Sequence, residues 1–441
     1  MKRTPIKIGL LHHTGGGNLG DDATMSVVVR NIRRRWPQTD ITAFSMNPVD
    51  TKKKHGIPSY PIRRHIWAIG YGSTPKNSDP NSKLGLRRWL KTTSNPLIRL
   101  PRAVFGELAF LTASFRTLRS FDLLVVSGGG QLTERSGPWG FPYAIFTWVL
   151  MAKAAGIKCI FLNVGAGPLK HPLSKFFVTR ALSAADYVSF RDEPSQLLAR
   201  SIGFTGQSEV CVDSAYDLEV SPPNAALLRR EHPVVGIAPM PYPFCDPREH
   251  PSNHQGIYED YLAKLAIFAS SLARQSYSLK IFGSDTGADP SAIEDFRTVL
   301  QNRYSVSTPQ SKPMHSVGEL LAEMSAMHFV VTCRFHGVVF AHLLNKPVLA
   351  ISHHPKVANL MNALGLSQYC VAIQTFDPAQ LTDAFASLVR NADQVKSQMT
   401  AKLAGYQSEL TAQFDDLFPR NVQKTRVPQA TPHRLPGTPY C

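Results

Sequence analysis

The sequence of 441 residues has few cysteines, no long run of purely apolar residues and no standard nucleotide-binding fingerprint. Its six cysteines are scattered, without a Cys-x-x-Cys pair or a Cys/His cluster, which argues against a zinc site, a redox dithiol or a disulfide framework. The longest apolar stretch, 141–162, contains two lysines, so it indicates a buried helix and strand rather than a membrane span. The apolar run at the N-terminus is too short for a signal peptide, and we expect a soluble, cytoplasmic protein.

Positive charge is abundant but unevenly placed. The formal net charge is +16, and residues 51–120 alone hold fourteen Lys or Arg against two acidic residues. Such a basic segment could contact nucleic acid, anionic lipid or an anionic glycan, or could simply keep the protein in solution. Because no helix-turn-helix or RNA-binding signature is present, we expect no nucleic-acid partner. The basic, proline-containing stretch 420–441 predicts a flexible tail.

Short apolar runs alternate with helical patterns along most of the chain, which is typical of parallel sheets covered on both faces. The pattern breaks in a proline-rich stretch at 219–233 and then restarts. We therefore predict an α/β fold of two Rossmann-like, doubly wound domains facing a cleft. The first domain is 1–222, with a basic insertion at about 51–120, and the second is 233–400.

Two glycine-rich turns follow predicted strands of the first domain, where parallel sheets bind ligands. The turn "HHTGGGNLGDDA" (12–23) offers Gly17 and Asn18 for close backbone approach and Asp21 as a general base or hydroxyl ligand. Asp21 could equally be a simple first-turn carboxylate at a helix N-terminus. The turn "VVSGGGQLTE" (125–134) offers Gly129 and Gly130, for ligand contact or for close packing. Neither turn has the GxGxxG or P-loop spacing.

Two further turns carry polar residues after apolar strands. In "SFRDEPS" (189–195), Arg191 could bind a carboxylate or phosphate, or pair with a neighbouring acid. In "IFGSD" (281–285), Ser284 lies in a small turn that permits close approach of a ligand.

The stretch "VVTCRFHGVVFAHLLNKPVLAISHHPKV" contains the most informative turn. Arg334 and His336 lie between an apolar strand and a helix, so a permanent cation and a titratable imidazole stand at a helix N-terminus that attracts anions. His353 and Lys356 follow the next strand and could converge on the same ligand. Although His336, His353 and His354 could bind a metal, no carboxylate accompanies them, and we predict no metal site.

Seven motifs together resemble the polysaccharide pyruvyl transferase family. They occur in this order between about residues 5 and 375: "GNLGDDA", "SGGGQL", "NVGAGPL", "SFRDEPS", "VDSAYDL", "GIAPMPY" and "CRFHGVVFAHLLNKPVLAISHHPKV". The resemblance implies a glycosyltransferase-B-like pair of domains, with phosphoenolpyruvate as the donor substrate. It also implies a saccharide acceptor, a pyruvate ketal product, and no cofactor.

The resemblance also implies roles for individual residues. Arg334 and His336 would hold the donor, with His336 as the proton source, while Arg191 and Lys356 would add positive charge. Phosphoenolpyruvate is a small anion that suits such partners, and its methylene carbon needs a general acid. The predicted substrate-binding set is Arg191, Arg334, His336, Lys356, His353, Gly17, Asn18, Gly129, Gly130 and Ser284.

A general base is needed for the acceptor hydroxyls, and the candidates are Asp21, Glu134 and His13. Two other interpretations remain open at this point: a nucleotide-sugar glycosyltransferase of similar fold, and a non-catalytic glycan-binding subunit of an assembly machinery. Also open are a lipid-linked acceptor and a peripheral contact of the basic segment with the inner face of the membrane.

Overall fold

The structure, a computed structural model, describes residues 5–64, 96–134, 137–220, 231–242, 254–309 and 314–420. The middle of the predicted basic insertion and the predicted tail after residue 420 lie outside the described residues.

The N-terminal lobe, here called the N-lobe, contains one parallel sheet of seven strands in the order β3-β2-β1-β4-β5-β6-β7. Its strands are β1 (Lys7–Leu11), β2 (Asp40–Ser45), β3 (Ser59–Pro61), β4 (Leu123–Leu132), β5 (Lys158–Ala166), β6 (Tyr187–Phe190) and β7 (Glu209–Val210). Its helices are α1 (Leu19–Arg35), α2 (Pro48–His55), α3 (Pro96–Leu118), α4 (Phe141–Ala154), α5 (Pro172–Ala184) and α6 (Glu193–Ser201), and a 3-10 turn spans Ser214–Asp217.

The C-lobe contains a second parallel sheet of five strands in the order β12-β11-β10-β8-β9. Its strands are β8 (Val234–Ala238), β9 (Ser278–Ile281), β10 (Phe329–Thr332), β11 (Val348–Ser352) and β12 (Cys370–Ala372). Its helices are α7 (His254–Arg274), α8 (Asp289–Tyr304), α9 (Val317–Ser325), α10 (Phe335–Leu343), α11 (Pro355–Ala363) and α12 (Pro378–Arg390), with a 3-10 turn at Ser367–Tyr369. The long helix α13 (Ala392–Leu417) follows.

The strands form where the sequence is continuously apolar, because both faces of each sheet are covered by helices. All residues of β8, β10 and β11 are buried. The predicted α/β class with two parallel sheets is therefore confirmed. Part of the segment predicted as a basic insertion belongs to the sheet itself, since β3 pairs with β2 and α2 connects them.

The core of each lobe includes apolar side chains that come from the other lobe. Leu19 and Ala23 of α1 pack within the C-lobe core. In the reverse direction, Phe414 of α13 and the following Phe418 pack into the N-lobe core around Trp36. Each lobe therefore contributes apolar surface that the other one buries. Within the described parts of the chain, we find no helix that is both long and apolar enough to cross a bilayer.

Candidate active site

Arg334 is held at the carboxyl end of β10 by two carboxylates from the loop after β9 and the start of α8. It is the N-cap residue of α10, and its Nε donates to Asp289 Oδ1 at 3.2 Å. Its Nη2 donates to the same oxygen, and Nη1 lies 3.6 Å from Asp285 Oδ2. Burial raises the pKa of Asp289, and Arg334 opposes that rise. The guanidinium is thus fixed in orientation, with its side chain 17% exposed.

His336 lies in the first turn of α10, directly against the N-lobe. The residue is 7% exposed, and its ring packs on Gly20 of α1. A Cβ atom at Gly20 would lie 1.9 Å from His336 Nδ1, so only glycine fits there. The other ring nitrogen, Nε2, has no hydrogen-bond partner and lies 3.7 Å from Asp213 Oδ2.

Asp213 is a site residue that we did not predict from the sequence. It follows β7, its side chain is 1% exposed, and its Oδ2 accepts from Arg191 Nη1 at 3.1 Å. Burial alone would raise the pKa of Asp213, but His336 and Arg191 together hold it well below its usual range. The carboxylate therefore lies between a guanidinium of the N-lobe and an imidazole of the C-lobe. A usable signal was present, since an acid follows an apolar run in "VDSAYDL".

Arg191 lies in the N-lobe at the end of β6, as the sequence predicted, and reaches the C-lobe. Its guanidinium carbon lies 4.2 Å from the ring centroid of Phe335, the first residue of α10. Gly165 in β5 leaves the space that the side chain occupies, since a Cβ atom there would lie 2.5 Å from Arg191 Nε. Arg191 and Arg334 thus flank the start of the same helix.

A second cluster lies on the N-lobe side of the site. His13 Nε2 lies 3.2 Å from Asp21 Oδ2, and Gly129 adopts a positive φ of 84° beside both side chains. Burial opposes ionisation of Asp21, yet His13 and His336 lower the pKa of its carboxyl below the usual range. Behind His13 lies the buried His12, whose pKa is lowered to about 3 by burial and by its neighbour His13.

Several buried polar atoms at this edge of the lobes lack a hydrogen-bond partner. They are both ring nitrogens of His12, His13 Nδ1, Ser127 Oγ, Arg191 Nε and His336 Nε2. Because buried polar groups are normally satisfied, such a concentration indicates a place for a polar ligand or for ordered water.

Three of the predicted ligand-binding residues lie where the lobes touch. The Gly17 carbonyl accepts from the backbone N–H and the hydroxyl of Thr286. Asn18 caps α1 by accepting from the Gly20 N–H at 2.9 Å. The Ser284 carbonyl accepts from the N–H of Leu19, while the Ser284 N–H donates to Asp289. Their backbone groups thus close the junction between lobes, and their role in substrate binding stays a prediction.

The remaining predicted residues lie around this centre. Gly130 borders open space. His353 Nδ1 lies 2.8 Å from the Cys333 carbonyl oxygen. Burial of the His353 ring, and to a smaller extent the charge of Lys356, lower the pKa of His353 well below its usual range, so the ring is neutral. Lys356 is half-buried in the first turn of α11. Their roles as ligands also stay predictions.

Glu134, one of the three base candidates, has a structural task. Its two carboxylate oxygens accept from the backbone N–H groups of residues 170 and 171, at 2.7 and 2.9 Å. These bonds fix the loop before α5, which makes Glu134 a poor candidate for moving protons. Within the described segments, no group of three or more His, Cys, Asp or Glu side chains is placed to hold a metal ion.

Solved structures of similar fold include a sugar-nucleotide epimerase and a rhamnosyltransferase. A UDP-GlcNAc 2-epimerase from Neisseria meningitidis, bound to UDP-GlcNAc, matches with a TM-score of 0.51 and 12% identity over 89% of this chain and 94% of that one. The spinosyn rhamnosyltransferase SpnG matches with a TM-score of 0.51 and 12% identity over 92% and 96%. S. aureus MnaA with UDP matches with a TM-score of 0.50 and 13% identity over 92% of each chain.

At such identities the likeness shows the fold alone, and it confirms the glycosyltransferase-B-like arrangement of the two lobes. A comparison with curated protein sequences gave no match. The family model of the polysaccharide pyruvyl transferases, in contrast, matches residues 18–355, which include Asp21, Arg191, Asp213, Arg334 and His336. The chain therefore belongs to the polysaccharide pyruvyl transferase family.

Proposed function

We propose that this protein transfers pyruvate from phosphoenolpyruvate to two hydroxyls of one sugar in a polysaccharide or its precursor, and releases inorganic phosphate. Family membership supports the transferase class. The observation that carries the finer proposal is the meeting of Arg191 from the N-lobe with Arg334 and His336 from the C-lobe, beside buried polar atoms without partners.

The donor would be bound chiefly by its negative charges. Arg334 and Arg191 flank the start of α10, whose free N–H groups add the positive end of a helix dipole. A guanidinium can bind carboxylate or phosphate through paired hydrogen bonds while it keeps a structural carboxylate on another edge. Lys356, at the start of the adjacent helix α11, would add a further charge.

His336 would be the general acid. Transfer begins when the methylene carbon of phosphoenolpyruvate takes a proton, which leaves positive charge on the adjacent carbon. A protonated His336 can give that proton, and the ionised Asp213 at 3.7 Å would stabilise the charge on the ring beforehand. Asp213 also pairs with Arg191, so the same carboxylate connects the acid to the donor-binding arginine.

The remaining steps balance without a cofactor. One acceptor hydroxyl attacks the cationic carbon and loses its proton, which forms the first C–O bond. The second hydroxyl then displaces phosphate from the same carbon and closes the cyclic ketal. Of the two hydroxyl protons, one replaces the proton given to the methylene carbon, and the other leaves with hydrogen phosphate.

We assign the base to His13, held by Asp21. The lowered pKa of Asp21 makes its carboxylate a weak base but a good partner for the N–H at His13 Nε2. That bond leaves the lone pair on His13 Nδ1, which has no partner within the protein. His13 is also the more exposed of the two side chains, 14% against 8%. The arrangement is that of a base oriented by a carboxylate.

Substrate entry requires the lobes to move apart at this point. Gly20 and His336 are in direct contact, and loops 14–18 and 284–287 are joined by backbone hydrogen bonds. The structure therefore corresponds to a closed arrangement, and donor binding would follow a separation of the lobes. Because phosphoenolpyruvate is made inside cells, we expect the reaction to take place in the cytoplasm.

The test combines donor binding with product analysis. His336→Gln should lower turnover by about 100-fold to 10,000-fold and leave phosphoenolpyruvate binding nearly unchanged. Arg334→Ala should weaken donor binding by about 10-fold to 100-fold. Turnover would be followed by phosphate release and by the added pyruvate mass on the glycan, and donor binding by titration calorimetry. His315→Gln and Arg390→Ala, both at exposed C-lobe positions, are the matched controls.

Wild-type turnover by His336→Gln would remove the proposed acid. Thermal protection by UDP- or GDP-sugars, with none by phosphoenolpyruvate, would instead favour a nucleotide-sugar glycosyltransferase. Glycan binding without any turnover of phosphoenolpyruvate would favour the non-catalytic assembly subunit.

A further inference from the structure

Helices α3, α4 and α5 pack side by side over one face of the N-lobe sheet and share one apolar core beneath them. On their outer side they carry large apolar side chains that are exposed to solvent. These are Val104 (50%), Phe105 (72%), Leu108 (54%), Trp139 (57%), Leu150 (42%), Leu173 (39%) and Phe176 (48%). We call this surface the α3–α5 face. Isolated exposed apolar residues are ordinary on a protein surface. So many on adjacent helices indicate a surface that binds a partner or a membrane.

Aromatic rings form the centre of the α3–α5 face. Trp139 contacts Tyr143 and Phe177 with ring centroids 5.4 and 5.8 Å apart, and Phe177 lies 5.0 Å from Phe146 and 5.8 Å from Phe176. Because the rings brace one another, the exposed edges of Trp139 and Phe176 are held in place. A rigid apolar surface of this kind loses little conformational entropy when it is covered.

The charge around these rings is mainly positive, although Glu107 of α3 lies beside Tyr143. Residues 137–184 contain five Lys or Arg and no Asp or Glu. Lys170, Lys175 and Arg180 are exposed, and the Arg180 guanidinium lies over the Phe176 ring at 5.5 Å. Apolar and aromatic side chains with basic residues between them are the pattern of proteins that lie on anionic membrane surfaces.

The α3–α5 face adjoins the candidate active site. Trp139, Leu173 and Phe176 lie near the starts of α4 and α5, and in a parallel sheet such helix starts lie at the carboxyl edge of the strands. The first residue of α4, Phe141, contacts the His13 ring at 5.4 Å. A partner on this face would therefore lie beside the N-lobe half of the site.

We infer that the α3–α5 face docks on an anionic lipid surface. A second copy of the chain fits this face less well, because an isologous contact would press two mainly basic surfaces together. Nucleic acid would match the charge but would leave Leu173 and the edge of Phe176 without apolar partners. The inference stands on the surface itself and does not depend on the donor chemistry, although docking there would bring a lipid-linked acceptor to the site.

Co-sedimentation of the full chain with vesicles tests this inference. Wild-type protein should bind vesicles of phosphatidylcholine with phosphatidylglycerol, and should bind phosphatidylcholine alone at least about 10-fold more weakly. The double change Trp139→Ser, Phe176→Ser should lower binding to the anionic vesicles by about 10-fold or more, because it removes two half-exposed aromatic anchors. Lys175→Gln with Arg180→Gln should reduce binding by about 10-fold at low salt and less at high salt.

The matched controls are Val49→Ser with Ile267→Ser, which are 77% and 41% exposed but lie on α2 and α7, away from this face. These should bind vesicles like the wild type. Failure of wild-type protein to bind anionic vesicles, or equal binding by the Trp139/Phe176 variant, would overturn the inference. A concentration-dependent dimer in analytical ultracentrifugation that the same variant dissociates would also overturn it, since a second copy would then occupy the face.

Discussion

The two lobes meet at two places that are built differently. At the front junction, Gly17, Leu19 and Gly20 of the N-lobe lie against Ser284 and His336, mostly through backbone groups and close packing. At the rear junction, α13 packs against the N-lobe and is held by hydrogen bonds that involve side chains. Its contacts are Arg35 with Asp415, Asn163 with Gln413, and His342 with the Met399 carbonyl.

The two junctions also differ in how well their polar groups are satisfied. Near the front junction, buried nitrogens of His336, His12 and His13 lack partners, whereas the rear amides of Asn163 and Gln413 are paired with each other in both directions. Unsatisfied polar groups are tolerated where a ligand completes them, and satisfied networks fix geometry. We therefore expect changes at the front to alter function and changes at the rear to alter stability.

The largest effect is expected for Gly20→Ala at the front. The new Cβ would lie 1.9 Å from His336 Nδ1 and 2.6 Å from His336 Cβ, so rotation of the ring alone cannot relieve the overlap. The first turn of α1 or the start of α10 must shift, and a displacement of about 1 Å at reacting groups costs on the order of 100-fold in rate. Transfer assays on purified Gly20→Ala protein would measure this, and a rate within a few-fold of wild type would show that the front contact does not matter for catalysis.

The rear junction should be sensitive to acid. His342 is buried, with its ring nitrogens on the Tyr216 hydroxyl and the Met399 carbonyl, and burial lowers its pKa to about 4. Between its unfolded value near 6.5 and about 4, the unfolded chain binds a proton that the folded chain does not, so stability falls as pH falls through that window. The loss is on the order of 3 kcal/mol at the acid end.

Urea unfolding between pH 7 and pH 4 would measure this loss. His342→Gln should make the free energy of unfolding less dependent on pH. The dependence that remains would include the contribution of His12, whose pKa is also lowered. His315→Gln, at an exposed position, should leave the slope unchanged. A steep slope that survives in His342→Gln would place the acid-sensitive group elsewhere.

A smaller loss of stability is expected for Gln413→Met. Asn163 is fully buried and has a positive φ of 51°, and its side-chain amide exchanges two hydrogen bonds with Gln413, at 2.8 and 2.9 Å. Methionine fills similar space but leaves the Asn163 amide short of partners, at a cost of about 1–3 kcal/mol. Gln394→Met, at an exposed position of the same helix, is the control. Equal unfolding free energies for the two variants would show that the amide pair does not hold the rear junction.

The sequence predicted the parts of the site that depend on neighbours in the chain. Arg334 and His336 stand out because an apolar strand precedes them and a helix follows, and that local pattern determines where they lie. Asp213 and Gly20 could not be placed in the same way, because their roles come from packing against residues far along the chain. The structural role of Glu134, fixing the loop before α5, was also hidden, since its partners are backbone groups that only the folded loop brings near.

The same limit applies to the fold. Two parallel sheets follow from the alternation of apolar runs and helical patterns, and the structure has both. No local sequence pattern predicts that α13 packs against the N-lobe, because an amphipathic pattern does not show which lobe covers the apolar side of the helix. The rear junction was therefore absent from the prediction.

The smallest effect is expected for Gly405→Ala, and it has the opposite sign. Gly405 lies within α13, is exposed, and has nothing within 4 Å of a Cβ atom built on it. Alanine there restricts the unfolded chain and costs no packing, which should stabilise the protein by about 0.5–1 kcal/mol. Thermal or urea unfolding would detect this gain, and transfer activity should stay at the wild-type level. Gly20→Ala and Gly405→Ala are the same chemical change in two helices, so equal effects on activity would mean that the contact of Gly20 with His336 does not matter for transfer.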